Sequence, residues 1–240
     1  MKNLFKIDLF TYLLLILSFF SGYFREIIIV YIILFVHEFG HFFLMKYFGI
    51  EVKSITMYPY GGMIKSNMLI NTNSKKVLLI SFGGIISQLL LGVIVYLFFY
   101  KCYFYDIFCR YNISLIIFNL LPIYPLDGFK ILNSILEMFI NFKCSIVVSL
   151  VVNLVSLILF FYYMYINRVS NYIIILFMLF SFIKYIKEIK YIINKFYLER
   201  CIYDFKFDGL VGVKKKEYMY KNKFNYIGCK SEKEFLSNNL

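Results

Sequence analysis

The sequence predicts an all-α polytopic membrane protein, with about six transmembrane helices and a short β-hairpin or re-entrant element after the second span. Three observations lead there. Hydrophobic residues fill 61% of the 240 positions and aromatic ones 22%, in long runs that a soluble domain does not carry. The runs are separated by segments holding lysine, arginine or turn-forming residues. Basic residues also fall unevenly on the two sides of the resulting layout.

In order, the apolar runs cover 9–24, 27–48, 77–100, 113–125, 144–166 and 172–183. A crossing helix needs about 20 residues, so the first, fourth and sixth must tilt or draw on polar flanks. Lys2 and Lys6 precede the first run as in a signal peptide, but no small-residue cleavage site follows, so it reads as a retained span. Six crossings put both termini on one side. That side receives Lys2, Lys6, Lys53, Lys65, Lys75, Lys76, Lys130, Lys143 and the basic tail. The other receives Arg25, Lys101, Arg110 and Arg168. Both termini are therefore expected in the cytoplasm. The same distribution accounts for most of the net charge of +12, so nucleic acid is not an implied partner.

Two regions are expected: a six-span core over 1–186 and a basic cytoplasmic tail over 187–240. The tail, with Lys214-Lys215-Lys216 among Tyr and Phe, reads as a solvated, partly ordered extension on anionic lipid. Docking of a substrate or regulator is the sharper alternative. The five cysteines form no C-x-x-C pair, so neither a thiolate zinc site nor a disulfide framework is indicated. Cys102 and Cys109 share one short loop and would pair only on an oxidising side.

The chemistry concentrates in two stretches. The first is His37-Glu38-Phe39-Gly40-His41, inside the second run, and it holds the only two histidines of the chain. On a helix, positions i and i+4 project from one face, so both imidazoles can hold one metal ion with Glu38 beside them. This is the H-E-x-x-H pattern of a zinc hydrolase. A buried core histidine is the plainer reading. It is disfavoured because ionisable groups inside hydrocarbon are costly and mark function by default.

After this run, Val52, Ile55 and Met57 precede Pro59-Tyr60-Gly61-Gly62, the pattern of short strands with a tight turn. Both a plain cytoplasmic hairpin and a strand edge that pairs with unwound substrate fit it. In the third run, Gly83-Gly84 and Ser87-Gln88 read as helix packing rather than chemistry.

The second informative stretch is Asn119-Leu-Leu-Pro122-Ile-Tyr-Pro125-Leu-Asp127-Gly128. Two prolines break a helix there, and broken backbone at membrane depth survives only against protein or a water-filled cavity. Asp127 fits the N-cap of a following helix. It is also the best third ligand, because catalytic zinc generally has three protein ligands and the chain has no third histidine. Glu137 ranks behind it.

The pairing of His37-Glu38-x-x-His41 with Asn119-x-x-Pro122-x-x-Pro125-x-Asp127-Gly resembles the site-2 protease family of intramembrane zinc metalloproteases, over roughly 1–190. The resemblance implies one Zn2+ per chain on His37, His41 and Asp127, with Glu38 as catalytic base. It implies that Asn119, Pro122 and Pro125 shape the site and hold substrate backbone, and that the hairpin at Tyr60, Gly61 and Gly62 lies near the substrate. Within the family, the short layout is similar to the stage IV sporulation protein FB branch, which processes the pro-form of sigma-K. That branch implies a membrane-associated pro-sigma factor as substrate, membrane inhibitor or regulator proteins as partners, an oligomer as an assembly option, and the membrane around the forespore as location, with the tail in the mother cell. The stretch after Arg200 is too short for a CBS domain of the usual ~100-residue size, so ATP regulation is not implied. Gly84-Ile-Ile-Ser87-Gln88 departs from the family's usual Gly-Pro with a nearby Asn. The competing class is a non-catalytic membrane protein, a metal carrier or a substrate-binding pseudoprotease.

Overall fold

The computed structural model describes residues 5–58, 61–100, 102–167, 172–207, 209–227 and 230–237. The chain divides into two compact units, Met1–Met68 with Leu79–Asn119, and Leu69–Leu78 with Leu120–Leu240. It is mostly helical rather than all-α, because two small sheets accompany the helices.

The first unit contains β1 (Phe5–Ile7), α1 (Leu9–Ser21), α2 (Phe24–Tyr47), β2 (Val52–Tyr58), β3 (Gly61–Ser66), most of α3 (Ser74–Phe99) and nearly all of α4 (Tyr103–Leu120). The Asp8 side chain accepts from the Phe10 amide at 3.1 Å and starts α1. Helix α2 buries Ile29, Ile33, His37 and His41, an i, i+4 series that turns both imidazoles to the interior. Strands β2 and β3 pair antiparallel, with Tyr58 opposite Gly61. Pro59 and Tyr60 lie outside the described residues. Strand β1 was not expected. It pairs parallel to β2, Phe5 opposite Ile55, leaving β3 at an edge of the sheet.

Helices α2 and α3 approach at Gly40 and Gly83. A Cβ on Gly83 would sit 2.8 Å from the Gly40 carbonyl oxygen, and a Cβ on Gly40 only 2.6 Å from Ser87 Oγ. Small residues permit this contact, as expected for membrane helices. The Ser87 hydroxyl donates to the Val36 carbonyl at 2.9 Å and ties the helices together.

Among the described residues, α2, α3 and α6 (Phe142–Ile166) are long and apolar enough to cross a membrane. The expectation of about six spans therefore meets three such helices. Of the others, α1 has 13 residues, α4 carries Asp106 and Arg110, and α7 (Tyr172–Ile202) turns charged from Lys184 onward. On α6, Ser145, Ser149 and Asn153 are buried, whereas Val151, Ile158 and Leu159 face outward. Phe142, Ile146, Leu157 and Met164 are buried with the polar residues, and the apolar outer face suits lipid.

The second unit adds α5 (Asp127–Phe139), β4 (Leu210–Val213), β5 (Phe224–Ile227), β6 (Lys230–Ser231) and α8 (Glu232–Ser237). The expected boundary between 186 and 187 falls inside α7. The tail is also not a solvated extension. Met219, Leu236 and Val213 join Phe142, Ile146, Phe196 and Tyr197 in one core, with Phe142 stacked on Phe196 at 4.0 Å.

Arg200, 2% exposed, organises this fold. It donates to Asn71 Oδ1 at 2.8 Å, Glu232 Oε1 at 2.6 Å and the carbonyls of Tyr220 at 2.9 Å and Lys221 at 2.5 Å. Burial lowers its pKa from the ordinary value and Glu232 opposes that shift. The Lys214 and Lys215 side chains remain at the surface.

A second buried pair joins the tail to α5: Lys221 Nζ lies 2.7 Å from Glu137 Oε2, which also accepts from Ser74 Oγ at 2.8 Å. Removing one partner strands a buried charge. Lys221→Met is therefore expected to destabilise the unit by about 3–5 kcal/mol. Thermal unfolding in detergent measures this, and Glu137→Gln added to Lys221→Met should recover part of the loss.

Candidate metal centre

The regular helix over α2 places the two histidines one turn apart. Both are buried, at 3% and 5% exposure, with Nε2 atoms 3.0 Å apart. Their outer nitrogens face acceptors. His41 Nδ1 donates to the Ile80 carbonyl at 2.7 Å, and His37 Nδ1 lies 3.0 Å from Gln88 Oε1. A carbonyl cannot donate, so the His41 proton sits on Nδ1 and its Nε2 carries a lone pair. With His37 in the same tautomer, two lone pairs converge, an arrangement that a cation between them makes favourable. The donor set thus fits a metal ion.

Helix α3 reaches this close because residue 84 is glycine. A Cβ there would stand 2.5 Å from His37 Cε1, 2.5 Å from His41 Nε2 and 2.7 Å from His37 Nδ1. The packing expected of Gly83-Gly84 is real at Gly83, but at Gly84 the surface packed against is the imidazole pair. Gln88, expected only to pack, contacts His37 directly. The sequence held a signal for it: an amide in an apolar span needs a partner.

Glu38 is half-buried on the adjoining face. The β3 backbone passes over it, and a Cβ on Gly62 would lie 2.8 Å from Glu38 Oε1. Gly61 has φ +143°, a conformation that favours glycine.

Asp127 is the first residue of α5 and is 4% exposed. The cap position belongs to Leu126, so Asp127 is not the N-cap. Lys130 Nζ lies 2.8 Å from its Oδ1. His37 and His41 lie in the first unit, and Asp127 opens α5 in the second. Glu137 is engaged instead by Lys221, Ser74 and Asn133. Pro122 and Pro125 lie in the non-helical link between α4 and α5, where the sequence placed the break, and the Tyr124–Pro125 bond is cis. Asn119 is the penultimate residue of α4, half-buried. Cys102 and Cys109 are free thiols.

The sequence profile of peptidase family M50 matches residues 25–108 and 101–163. The chain belongs to peptidase family M50. The resemblance to site-2 proteases read from the two motifs is thereby confirmed. The chain is similar to stage IV sporulation protein FB of Bacillus subtilis, 26% identical over 127 residues, covering 51% of this chain and 44% of that protein. It is also similar to a zinc metalloprotease of Methanocaldococcus jannaschii, 29% identical over 123 residues, covering 45% of this chain and 34% of that one. Both matches span less than half of the relative's length. Among solved structures, the site-2 protease from Methanocaldococcus jannaschii aligns with TM-score 0.56 and 22% identity over 77% of this chain and 89% of that one, a likeness of fold.

Proposed function

We propose that this M50 peptidase is an intramembrane zinc metalloprotease whose metal is held by His37, His41 and Asp127. The observation that carries the reading is the converging histidine pair, each ring oriented by an acceptor behind it. The chain has only these two histidines, and both sit in one motif, which suits one reaction centre better than a carrier's path. The zinc, when bound, supplies Lewis-acid chemistry, acidifying water and polarising a scissile carbonyl.

The chain's own residues do the rest. Glu38 accepts the proton of the attacking water and returns it to the leaving amine nitrogen. Asn119 donates to substrate backbone, and the Pro122–Pro125 link keeps an opening for water. Strand β3 offers its edge to a substrate segment that has left its helix, since an intact helix hides its carbonyls. In this reading six helices cross the membrane with both termini cytoplasmic, and the substrate is membrane-associated. Similarity to the sporulation relative supports a pro-sigma factor as that substrate, with pro-sequence removal as the outcome.

Co-expression with tagged sigma-factor pro-sequences and membrane anchors tests both levels, read by product size. Wild type is expected to shorten at least one substrate, and Asp127→Ala to cleave none and to lose its zinc. Cleavage by Asp127→Ala at the wild-type rate would overturn the protease reading. Cleavage of other anchors but not of the pro-sigma factor would overturn only the substrate.

A further inference from the structure

We propose that Gln88 is a positioning residue for the metal centre: its amide oxygen accepts the Nδ1 proton of His37 and so keeps the Nε2 lone pair turned toward the ion. The proposal rests on the zinc-site reading above and goes beyond it, because it assigns a role on α3, outside the two motifs.

Burial and geometry carry the argument. Gln88 is fully buried, at 0% exposure, on a helix otherwise rich in Leu, Ile and Val. Burying an amide without hydrogen bonds is costly. Its Nε2 has no hydrogen-bond partner among the described residues, so the side chain is not held there by its donor end. What it does provide is Oε1, 3.0 Å from His37 Nδ1.

Ile80, Gly84 and Gln88 follow one another at i, i+4 and i+8 on one face of α3. The Ile80 carbonyl orients His41, the bare Gly84 backbone receives both rings, and Gln88 orients His37. His41 is served by a backbone group, which no substitution removes. His37 depends on a side chain, which makes its half of the pair sensitive to mutation. Asn112 Nδ2 donates to the Gln88 carbonyl at 3.3 Å, securing this turn of α3 from α4.

The unpartnered donor end makes the test decisive. Gln88→Glu gives up no hydrogen bond seen in the structure and retains an acceptor toward His37. Gln88→Met keeps the length and removes the acceptor. If Gln88 only filled space, methionine would be the better replacement, because a buried carboxylate costs more than a thioether.

Zinc affinity of the full-length chain in detergent, measured by competition with a chelator, is expected to fall about 10- to 100-fold in Gln88→Met. It should stay at or above the wild-type value in Gln88→Glu. Cobalt(II) loaded in place of zinc should show an altered visible spectrum in Gln88→Met alone. Wild-type affinity in Gln88→Met, or tighter binding there than in Gln88→Glu, overturns the positioning role and leaves the zinc site standing. A wild-type chain without stoichiometric zinc, or with zinc that survives His37→Ala, overturns the site itself and this proposal with it.

Discussion

Glu38→Gln is expected to keep one zinc per chain while lowering cleavage about 10²- to 10⁴-fold, the range set by general-base catalysis. Glutamine matches the size of glutamate and sits on the same half-buried face of α2. It cannot take a proton from water at neutral pH. The close passage of β3 at Gly62 constrains the side chain to its present course, so a residue of equal size keeps that course. Zinc content by elemental analysis, paired with product size in the co-expression assay, reads the two effects separately. Cleavage at the wild-type rate would remove Glu38 from the mechanism.

The second large effect comes from a residue that performs no chemistry. Gly84→Ala is expected to weaken zinc binding about 100-fold or more, the added methyl intruding on the ligands where loss of an outer partner alone costs 10–100-fold. A Cβ at this position stands 2.5 Å from His41 Nε2, the ligand atom of the proposed site, and 2.5 Å from His37 Cε1. Helix α3 cannot easily retreat. The Gly40–Gly83 contact and the bond from Ser87 to the Val36 carbonyl hold it against α2 on the preceding and following residues. The rings must turn instead, which separates the lone pairs. Zinc retained after exhaustive dialysis measures the loss, and retention equal to wild type would show that α3 is free to retreat from α2.

The residues that were legible in the sequence are those whose chemistry is local. His37 and His41 share a face because of helical geometry alone, the strands after α2 follow from alternation and glycine, and two prolines within four residues must interrupt a helix. What was not legible depends on partners far along the chain. Strand β1 is three residues long and exists because β2 accepts it about 50 positions later. The tail, with its many lysines, reads as a solvated extension on anionic lipid, yet Val213, Met219 and Leu236 form a core against α6 and α7. Arg200 gave no sign of burial, since only the folded tail supplies the carbonyls and Glu232 that make burial tolerable. Gly84 and Gln88 are packing residues by sequence, and they do pack. The sequence could not say that the surfaces they pack against are the histidines.

The passage of β3 over Glu38 bears on how a bond would be chosen for cutting. A segment paired along that edge is held by backbone hydrogen bonds, which are indifferent to side-chain identity. If Glu38 is the base as proposed, the position of Gly62 beside it would act as a ruler, and the cut would be set by distance along the paired strand rather than by the residues flanking the bond. Inserting two residues into a substrate between its pairing segment and its normal cleavage point should shift the cut by two residues, leaving the composition around the new site free to vary.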